Sequence, residues 1–363
     1  MMLRSPSLLL AGLALLAPAG LMAAPASPLI PTLSLHVINN GATTTASGRV
    51  FIPVQRTTPG EGMEVAEVVG GQPWPFPDAA WNSWKPGQKG DAAFVGVNSI
   101  RIGPDGDLWV VDKGADGNGG ADSSLQPKIL RIDVTSGQIK RIYPLRSVTT
   151  GKSFVNDLRF KGNVAFLTDA GQPGLIVLHL DTGAARRVLD GDPSTTAQRP
   201  WLSAGKPLVT PEGKQVVVHA DQLELSPDAA WLYYQPASGP MSKIETRYLE
   251  DETLSPAQLA AHVIPFAGTQ PTGGTAIASN GTIFASDINH QRLVKIAPNG
   301  KITTILQDAR LIQMDAMWID DQGYLWIPAT QINRTAGLNH GVDAVQWPVI
   351  TYRMQTGLKP VHR

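Results

Sequence analysis

The chain has 363 residues, of which 36 are glycine, 29 are proline and 17% are charged, and its formal net charge is zero. Its basic residues are scattered, so we expect neither a nucleic-acid-binding surface nor a polybasic membrane patch. It contains no cysteine, which excludes disulfide partners, thiol nucleophiles and thiolate metal sites. A turn-rich chain of this size is large enough to form one well-packed domain.

The first 26 residues have the three regions of a secretory signal peptide. Arg4 precedes an apolar run from Leu8 to Leu16, and small residues follow. This run is shorter than the roughly 18 apolar residues that span a bilayer, which argues against a membrane anchor. We therefore predict cleavage between Ala23 and Ala26 and a secreted or periplasmic protein.

The stretch Asn98–Asp112 reads as two short strands joined by a Pro-Asp-Gly turn. Four later stretches repeat this pattern, and they begin at Asn156, Asp221, Thr275 and Asp315. A second hairpin recurs between the copies, most clearly after Lys128. Two hairpins make four strands, which is one blade of a β-propeller, and repeats of this length are typical of propellers.

Unpaired strand material remains at both ends of the chain. The sequence predicts three N-terminal strands, at Ser34–Ile38, Gly48–Val54 and Met63–Val69, and one C-terminal strand at Trp347–Met354. Pairing that last strand with the N-terminal group completes a sixth blade and leaves no free sheet edge. We predict a linker over residues 27–33, followed by one all-β domain, a six-bladed β-propeller over residues 34–363, closed by its N- and C-terminal strands.

Three segments depart from the blade rhythm. The run from Trp74 to Trp84 is too rich in proline for a strand, so we expect a structured loop. The insertion from Asp190 to His219 is long enough to be a lid or a binding loop. Ser255–His262 begins with a serine N-cap and a proline, which predicts a short helix on the rim.

The first strand of each propeller blade lines the central channel, so the residues that start these strands should meet at one mouth. This alignment predicts a small-molecule site formed by Asn98, Asn156, Asp157, Asp221 and Asp315. His219 lies near the start of an inner hairpin and could act as a base or a ligand. The alternative for His219 is a purely structural role.

Two interpretations of these polar residues stay open. Asn156, Asp221 and Asp315 could bind a divalent cation, most readily calcium, because their ligand atoms are hard oxygens. Alternatively, such side chains could bond backbone groups at the blade starts and hold the inner strands in register. No standard catalytic signature occurs in the sequence, which leaves open whether the protein is an enzyme.

Several runs together resemble the major royal jelly protein and yellow family, in the form of a bacterial-type member. They are Leu108-Trp-Val-Val-Asp-Lys-Gly114, Ser153-Phe-Val-Asn-Asp157, Phe166-Leu-Thr-Asp169 and Leu223-Glu-Leu-Ser-Pro-Asp228. The resemblance implies a secreted six-bladed propeller that binds a small molecule at its channel mouth. Some members of that family are linked to dopachrome conversion, others bind biogenic amines, and others are storage proteins. It therefore implies the fold more specifically than the activity.

A more distant resemblance is to the gluconolactonase and senescence-marker group, whose propellers hold one divalent cation with a Glu, an Asn and an Asp. Asn156 and either Asp221 or Asp315 match two of these ligand types by position. Glu64 and Glu67 lie in a strand that does not align with an inner position. This resemblance implies a metal-dependent lactone hydrolase as the alternative to an isomerase-like or a non-catalytic binding protein.

Overall fold

Six antiparallel sheets are arranged as the blades of a β-propeller in the computed structural model, which describes residues 27–116 and 125–361. The inner strands of successive blades contact one another and surround a central channel. The predicted six-bladed, nearly all-β fold is therefore confirmed. The predicted signal peptide, residues 1–26, lies outside the described residues. Within the described residues, no helix is long and apolar enough to cross a membrane.

The strands of the six blades are short, and most blades run in order from the inner to the outer strand. Blade 1 consists of β2 (Ile38–Asn39), β3 (Thr43–Thr44), β4 (Val50–Gln55), β5 (Val65–Val69) and β6 (Gln72–Pro75). Blade 2 consists of β7 (Val97–Ile102), β8 (Leu108–Asp112), β9 (Lys128–Ile132) and β10 (Ile139–Pro144). Blade 3 consists of β11 (Val155–Lys161), β12 (Val164–Asp169), β13 (Gly174–His179) and β14 (Ala185–Val188).

Blade 4 consists of β17 (Ala220–Leu225), β18 (Trp231–Pro236), β19 (Met241–Glu245) and β20 (Ile264–Ala267). Blade 5 consists of β21 (Thr275–Ile277), β22 (Ile283–Asp287), β23 (Arg292–Ile296) and β24 (Ile302–Gln307). Blade 6 consists of β25 (Trp318–Ile319), β26 (Tyr324–Ala329), β27 (Val349–Gln355) and β1 (Ile30–Leu35). The insertion between blades 3 and 4 contains a small hairpin, β15 (Leu202–Ser203) and β16 (Lys206–Pro207). Two short helices, α1 (Thr246–Glu250) and α2 (Pro256–Ala260), precede β20.

The two chain termini close the ring, as predicted, although they do so in blade 6. Strand β27 lies between β26 and β1, so the N-terminal strand is the outermost strand of the last blade. The outer strand of blade 1, Gln72–Pro75, includes Trp74 and Pro75, the first two residues of the segment that was expected to be a loop. Proline is tolerated there because the strand is at the edge of its sheet. Strand β1 begins at Ile30, so residues 30–33 are part of the blade and not of a linker.

In two of the blades, an aspartate of the hairpin turn accepts a hydrogen bond from a tryptophan on the next strand. In blade 2, Asp105 accepts a hydrogen bond from Trp109 Nε1 at 3.1 Å, and in blade 6 Asp320 accepts one from Trp326 Nε1 at 2.9 Å. Both indole rings are buried. A turn aspartate followed by a strand tryptophan therefore fixes the turn and the core side chain together.

A second aspartate recurs at the end of the second strand in blades 2, 3 and 5. Asp112, Asp169 and Asp287 are buried, and each carboxylate forms a salt bridge with a basic residue, namely Lys128, Arg187 and Arg292 respectively. Asp112 also accepts hydrogen bonds from the backbone N–H groups of residues 95 and 96. These bonds fix the loops that lead into the inner strands, and so they hold the channel mouth in shape.

Candidate functional site at the channel mouth

One mouth of the central channel opens into a cavity of about 170 Å³. One residue from each blade contributes to its floor, because the inner strand of every blade starts at this end of the channel. These residues are Asn40, Asn98, Asn156, Asp221, Gly273 and Asp315. Position 273 requires a glycine, because a Cβ atom there would lie 2.0 Å from the carbonyl oxygen of Met314 and would clash with it.

The asparagines connect neighbouring blades through their side-chain N–H groups. Asn40 Nδ2 donates to the carbonyl oxygen of Asn98 at 2.8 Å, and Asn98 Nδ2 donates to the carbonyl oxygen of Asn156 at 3.0 Å. Both bonds span 58 residues of sequence. These N–H groups therefore bond backbone groups of the neighbouring blade, as the alternative role in strand register requires. The side-chain carbonyl oxygens of Asn40 and Asn98 are left for other partners.

Four of the six predicted site residues line this cavity, namely Asn98, Asn156, Asp221 and Asp315. Asp157 lies deeper, in a narrower part of the channel. His219 is not among the lining residues. Its Nδ1 accepts a hydrogen bond from the backbone N–H of Ala197 at 3.1 Å, so it anchors the insertion beside the mouth. Burial lowers the pKa of His219, which favours the neutral ring that this bond requires.

Asp221 and Asp315 are the two carboxyl groups on the cavity floor. Asp221 is buried, and Asp315 is partly exposed at the cavity that it lines. Salt bridges in this channel involve Asp157 and Glu224, and none within the described residues involves Asp221 or Asp315. Burial, reinforced by the charge of Asp315, raises the pKa of Asp221 well above its usual range, and burial raises the pKa of Asp315 to about 7.

Asp157 has the opposite electrostatic environment. Arg101 Nη2 lies 2.5 Å from Asp157 Oδ2, and Arg159 Nη1 lies 2.8 Å from the same oxygen. Arg159 also pairs with Glu224 at 2.8 Å. Burial opposes ionisation of Asp157, but the two guanidinium groups outweigh it and hold the pKa of Asp157 well below its usual range. These four charges fill the channel below the cavity and balance one another.

The insertion between blades 3 and 4 covers part of the mouth. Trp201 and residues 216–218 from this segment line the cavity, together with Phe154, Ile332 and Leu338. The insertion is fastened to blade 6 by a 3.1 Å hydrogen bond from Asn333 Nδ2 to Ser203 Oγ. The cavity therefore combines a polar, acidic floor with walls that are largely apolar and aromatic and that also include the basic residue Lys152.

Sequence analysis missed four polar residues of this cavity, namely Asn40, Gln55, Lys152 and Trp201. Asn40 is the blade 1 counterpart of Asn98, and the 58-residue spacing that separates Asn98 from Asn156 also separates Asn40 from Asn98. This shared spacing was the signal for Asn40. Trp201 lies outside the repeat, and its signal was its place in the insertion that was expected to be a lid or a binding loop. Asn40 Oδ1 and Trp201 Nε1 are both buried and have no hydrogen-bond partner in the protein. Buried polar atoms of this kind are rare without a bound ligand, ion or water.

The donor set of the floor fits a hard cation only if amide oxygens take part. Among the described residues, no group of three or more His, Asp or Glu side chains is placed to hold a metal ion. Asp221 and Asp315, with the amide oxygens of Asn40 and Asn156, supply oxygen ligands of the type that calcium accepts. Neither Glu64 nor Glu67 adds to this set. Glu64 is buried and forms a salt bridge with Arg56. Glu67, on strand β5, forms a salt bridge with Arg49.

Solved structures with the same fold include enzymes of several kinds. A gluconolactonase from Xanthomonas campestris is 15% identical, with 90% of this chain and 89% of that chain covered and a TM-score of 0.53. A luciferin-regenerating enzyme is 12% identical, with 90% and 94% covered and a TM-score of 0.53. A streptogramin B lyase is 12% identical, with 90% and 87% covered and a TM-score of 0.51. At these identities the likeness concerns the fold alone.

Sequence comparison identifies the family. A search of curated proteins finds no match. The sequence profile of the family described as "Major royal jelly protein" matches residues 95–362, which is well over half of the chain and covers blades 2 to 5 and three strands of blade 6. The resemblance found in the strand and turn motifs is therefore confirmed, and the chain belongs to the major royal jelly protein family.

Proposed function

We propose that this protein binds a small molecule with a protonated amine and an apolar ring at the channel mouth. The observation that carries the proposal is the pair of carboxyl groups, Asp221 and Asp315, on the floor of an open cavity without a cationic partner among the described residues. An ammonium group would neutralise them and donate charge-assisted hydrogen bonds. The aromatic and aliphatic walls, including Phe154 and Trp201, would cover the ring.

Tyramine is a suitable probe, with p-cresol as the matched compound that lacks the amine. We expect Asp315→Asn to weaken tyramine binding by about 10- to 100-fold, the loss of one charged hydrogen bond, and to leave p-cresol binding nearly unchanged. Calorimetric titration measures both constants. Equal affinity of the wild-type protein for the two compounds would contradict the proposed amine site.

The pH dependence of tyramine binding has a definite sign. The ionised form of Asp315 attracts the ammonium group, and the pKa of this carboxyl is raised to about 7. The amine itself stays protonated well above that pH, as a lysine does. Affinity should therefore rise as the pH rises through 7, and this rise should be reduced in Asp315→Asn.

The same carboxyl supports a proton-transfer reaction. A group whose pKa lies near neutral pH can both accept and release a proton, which is what an isomerase of the dopachrome-converting type requires. The rate of dopachrome consumption in the wild-type protein and in Asp315→Asn tests this reaction. Equal rates above the uncatalysed rate would exclude Asp315 as the proton-transfer group, and a wild-type rate no higher than the uncatalysed rate would leave a binding or storage protein.

A cation-dependent lactone hydrolase is the second candidate, favoured by the unpartnered Oδ1 of Asn40 next to the two carboxyl groups. Asn40, Asn156, Asp221 and Asp315 would hold the ion, which when bound supplies Lewis-acid activation of a carbonyl group. We expect calcium to raise the free energy of unfolding of chelator-treated protein by about 2.7 kcal/mol at a hundredfold excess over Kd. Elemental analysis that finds no divalent metal, with a melting temperature indifferent to calcium, would count against this candidate.

Export to the periplasm or the cell exterior completes the proposal. It is supported by the three-region pattern of residues 1–26. Mass spectrometry of the native protein should find a mature N-terminus between Ala23 and Ala26. An N-terminus at Met1 in the native protein would argue against export.

A further inference from the structure

We propose that Gln222 is a positioning residue that fixes the orientation of the Asp221 carboxyl group on the cavity floor. Its role in ligand binding rests on the amine site proposed above, whereas its effect on Asp221 is independent of any ligand. Gln222 Nε2 lies 2.6 Å from Asp221 Oδ2, and Gln222 itself is 4% exposed. A bond this short to a carboxyl oxygen restrains rotation of the group.

The orientation of the Gln222 amide follows from its other contacts. The same nitrogen lies 3.0 Å from the carbonyl oxygen of Thr272 and 3.1 Å from that of Gly273. Backbone carbonyl groups only accept hydrogen bonds, so the atom that faces them must be the NH₂ group. Asp221 Oδ2 therefore accepts its bond from Gln222.

A buried chain of hydrogen bonds supports this amide from behind. Gln222 Oε1 accepts from Gln235 Nε2 at 3.1 Å, and Gln235 Oε1 accepts from Thr269 Oγ1 at 2.8 Å. Gln222 and Gln235 are direct cross-strand partners on β17 and β18, and Gln235 and Thr269 are fully or almost fully buried. Every donor in this series of hydrogen bonds has an acceptor. The amide of Gln222 therefore cannot flip without breaking several of these bonds.

The arrangement matters for binding because a preoriented carboxyl loses less freedom when a ligand arrives. The other carboxyl of the floor is held in a comparable way, with the backbone N–H of Ala316 donating to Asp315 Oδ1 at 2.8 Å. Both carboxyl groups thus have at least one oxygen engaged by the protein. A merely structural glutamine, which only satisfied the carbonyl groups of Thr272 and Gly273, would affect stability without affecting the selectivity for amines.

The test compares Gln222→Met, which keeps the side-chain length and removes the donor, with the wild-type protein. We expect tyramine binding to weaken about tenfold, as for a lost bond to a charged group, while p-cresol binding changes less than about twofold. Gln235→Met should give a smaller loss with the same selectivity, because it removes only the support. Gln313→Met is the control. Gln313 is also buried, at 1% exposed, but it takes no part in the chain of hydrogen bonds behind Gln222 and does not line the cavity.

A crystal structure of Gln222→Met supplies a readout that needs no ligand. The inference expects the Asp221 carboxyl group to rotate away from its position. An unmoved carboxyl group, or an unchanged ratio of tyramine to p-cresol affinity in a protein that binds tyramine, overturns it. If the wild-type protein fails to bind tyramine, the proposed function fails, and the position of Asp221 in the variant decides this inference by itself.

Discussion

Removal of residues 347–363 should abolish the folded state of the whole domain. Strand β27 pairs with β26 on one side and with β1 on the other, so its loss breaks two strand interfaces at once. It also removes the buried side chains of Val349 and Tyr352 from blade 6 and leaves free sheet edges where the ring was closed. We expect neither a near-UV circular dichroism signal nor a cooperative melting transition.

A shorter truncation provides the control for this experiment. Removal of residues 360–363 leaves β27 in place and takes away only the end of the tail, which pairs with Ala278 at the opposite end of the channel. We expect this variant to melt cooperatively, within about 8 °C of the full-length protein, which corresponds to a loss of a few kcal/mol at most. Unchanged melting of the longer truncation would show that the termini do not close the ring.

Replacement of Asp157 by asparagine should be the most damaging single substitution in the channel. The change keeps the shape of the side chain but leaves one carboxylate, Glu224, for the two guanidinium groups of Arg101 and Arg159 in this network. Breaking a buried ion pair by removing one partner costs about 3–5 kcal/mol. Urea denaturation at pH 8 measures the loss.

The same substitution at Asp315 is the matched control. The pKa of Asp315 is raised in the folded protein to about 7, so this group favours folding fully below its unfolded pKa of about 4 and loses that contribution as the pH rises through 7. At pH 8, Asp315→Asn removes an unfavourable, partly buried charge, and we expect equal or higher stability. Equal losses for Asp157→Asn and Asp315→Asn would contradict the assignment of different environments to the two carboxyl groups.

Much of the fold could be predicted because its signals are local. Each hairpin carries its own turn residues and its own apolar strands, so the five repeats starting between Asn98 and Asp315 were visible without any knowledge of contacts. The helix at Pro256–Ala260 was predicted from the serine cap that precedes it, which forms a capping box with Gln258. Helix α1 and the edge strand Gln72–Pro75 were missed, because tertiary pairing overrode their weak or contrary local preferences.

The candidate site was predicted only as a set of positions. Repetition placed the blade starts around one mouth, since equivalent residues of a repeated unit occupy equivalent places in the ring. Asn98, Asn156, Asp221 and Asp315 do line the same cavity. The sequence by itself thus determined the architecture and the approximate location of the polar floor.

Only the tertiary structure decided what each of these residues does. Asp157 and Asp221 look alike in the sequence, yet Asp157 is neutralised by Arg101 from another blade, whereas Asp221 is held by Gln222 and has no cationic partner among the described residues. The reason is physical. The pKa and the availability of a carboxyl group depend on the charges and donors within a few ångströms, and in a propeller those groups come from blades far apart in the chain.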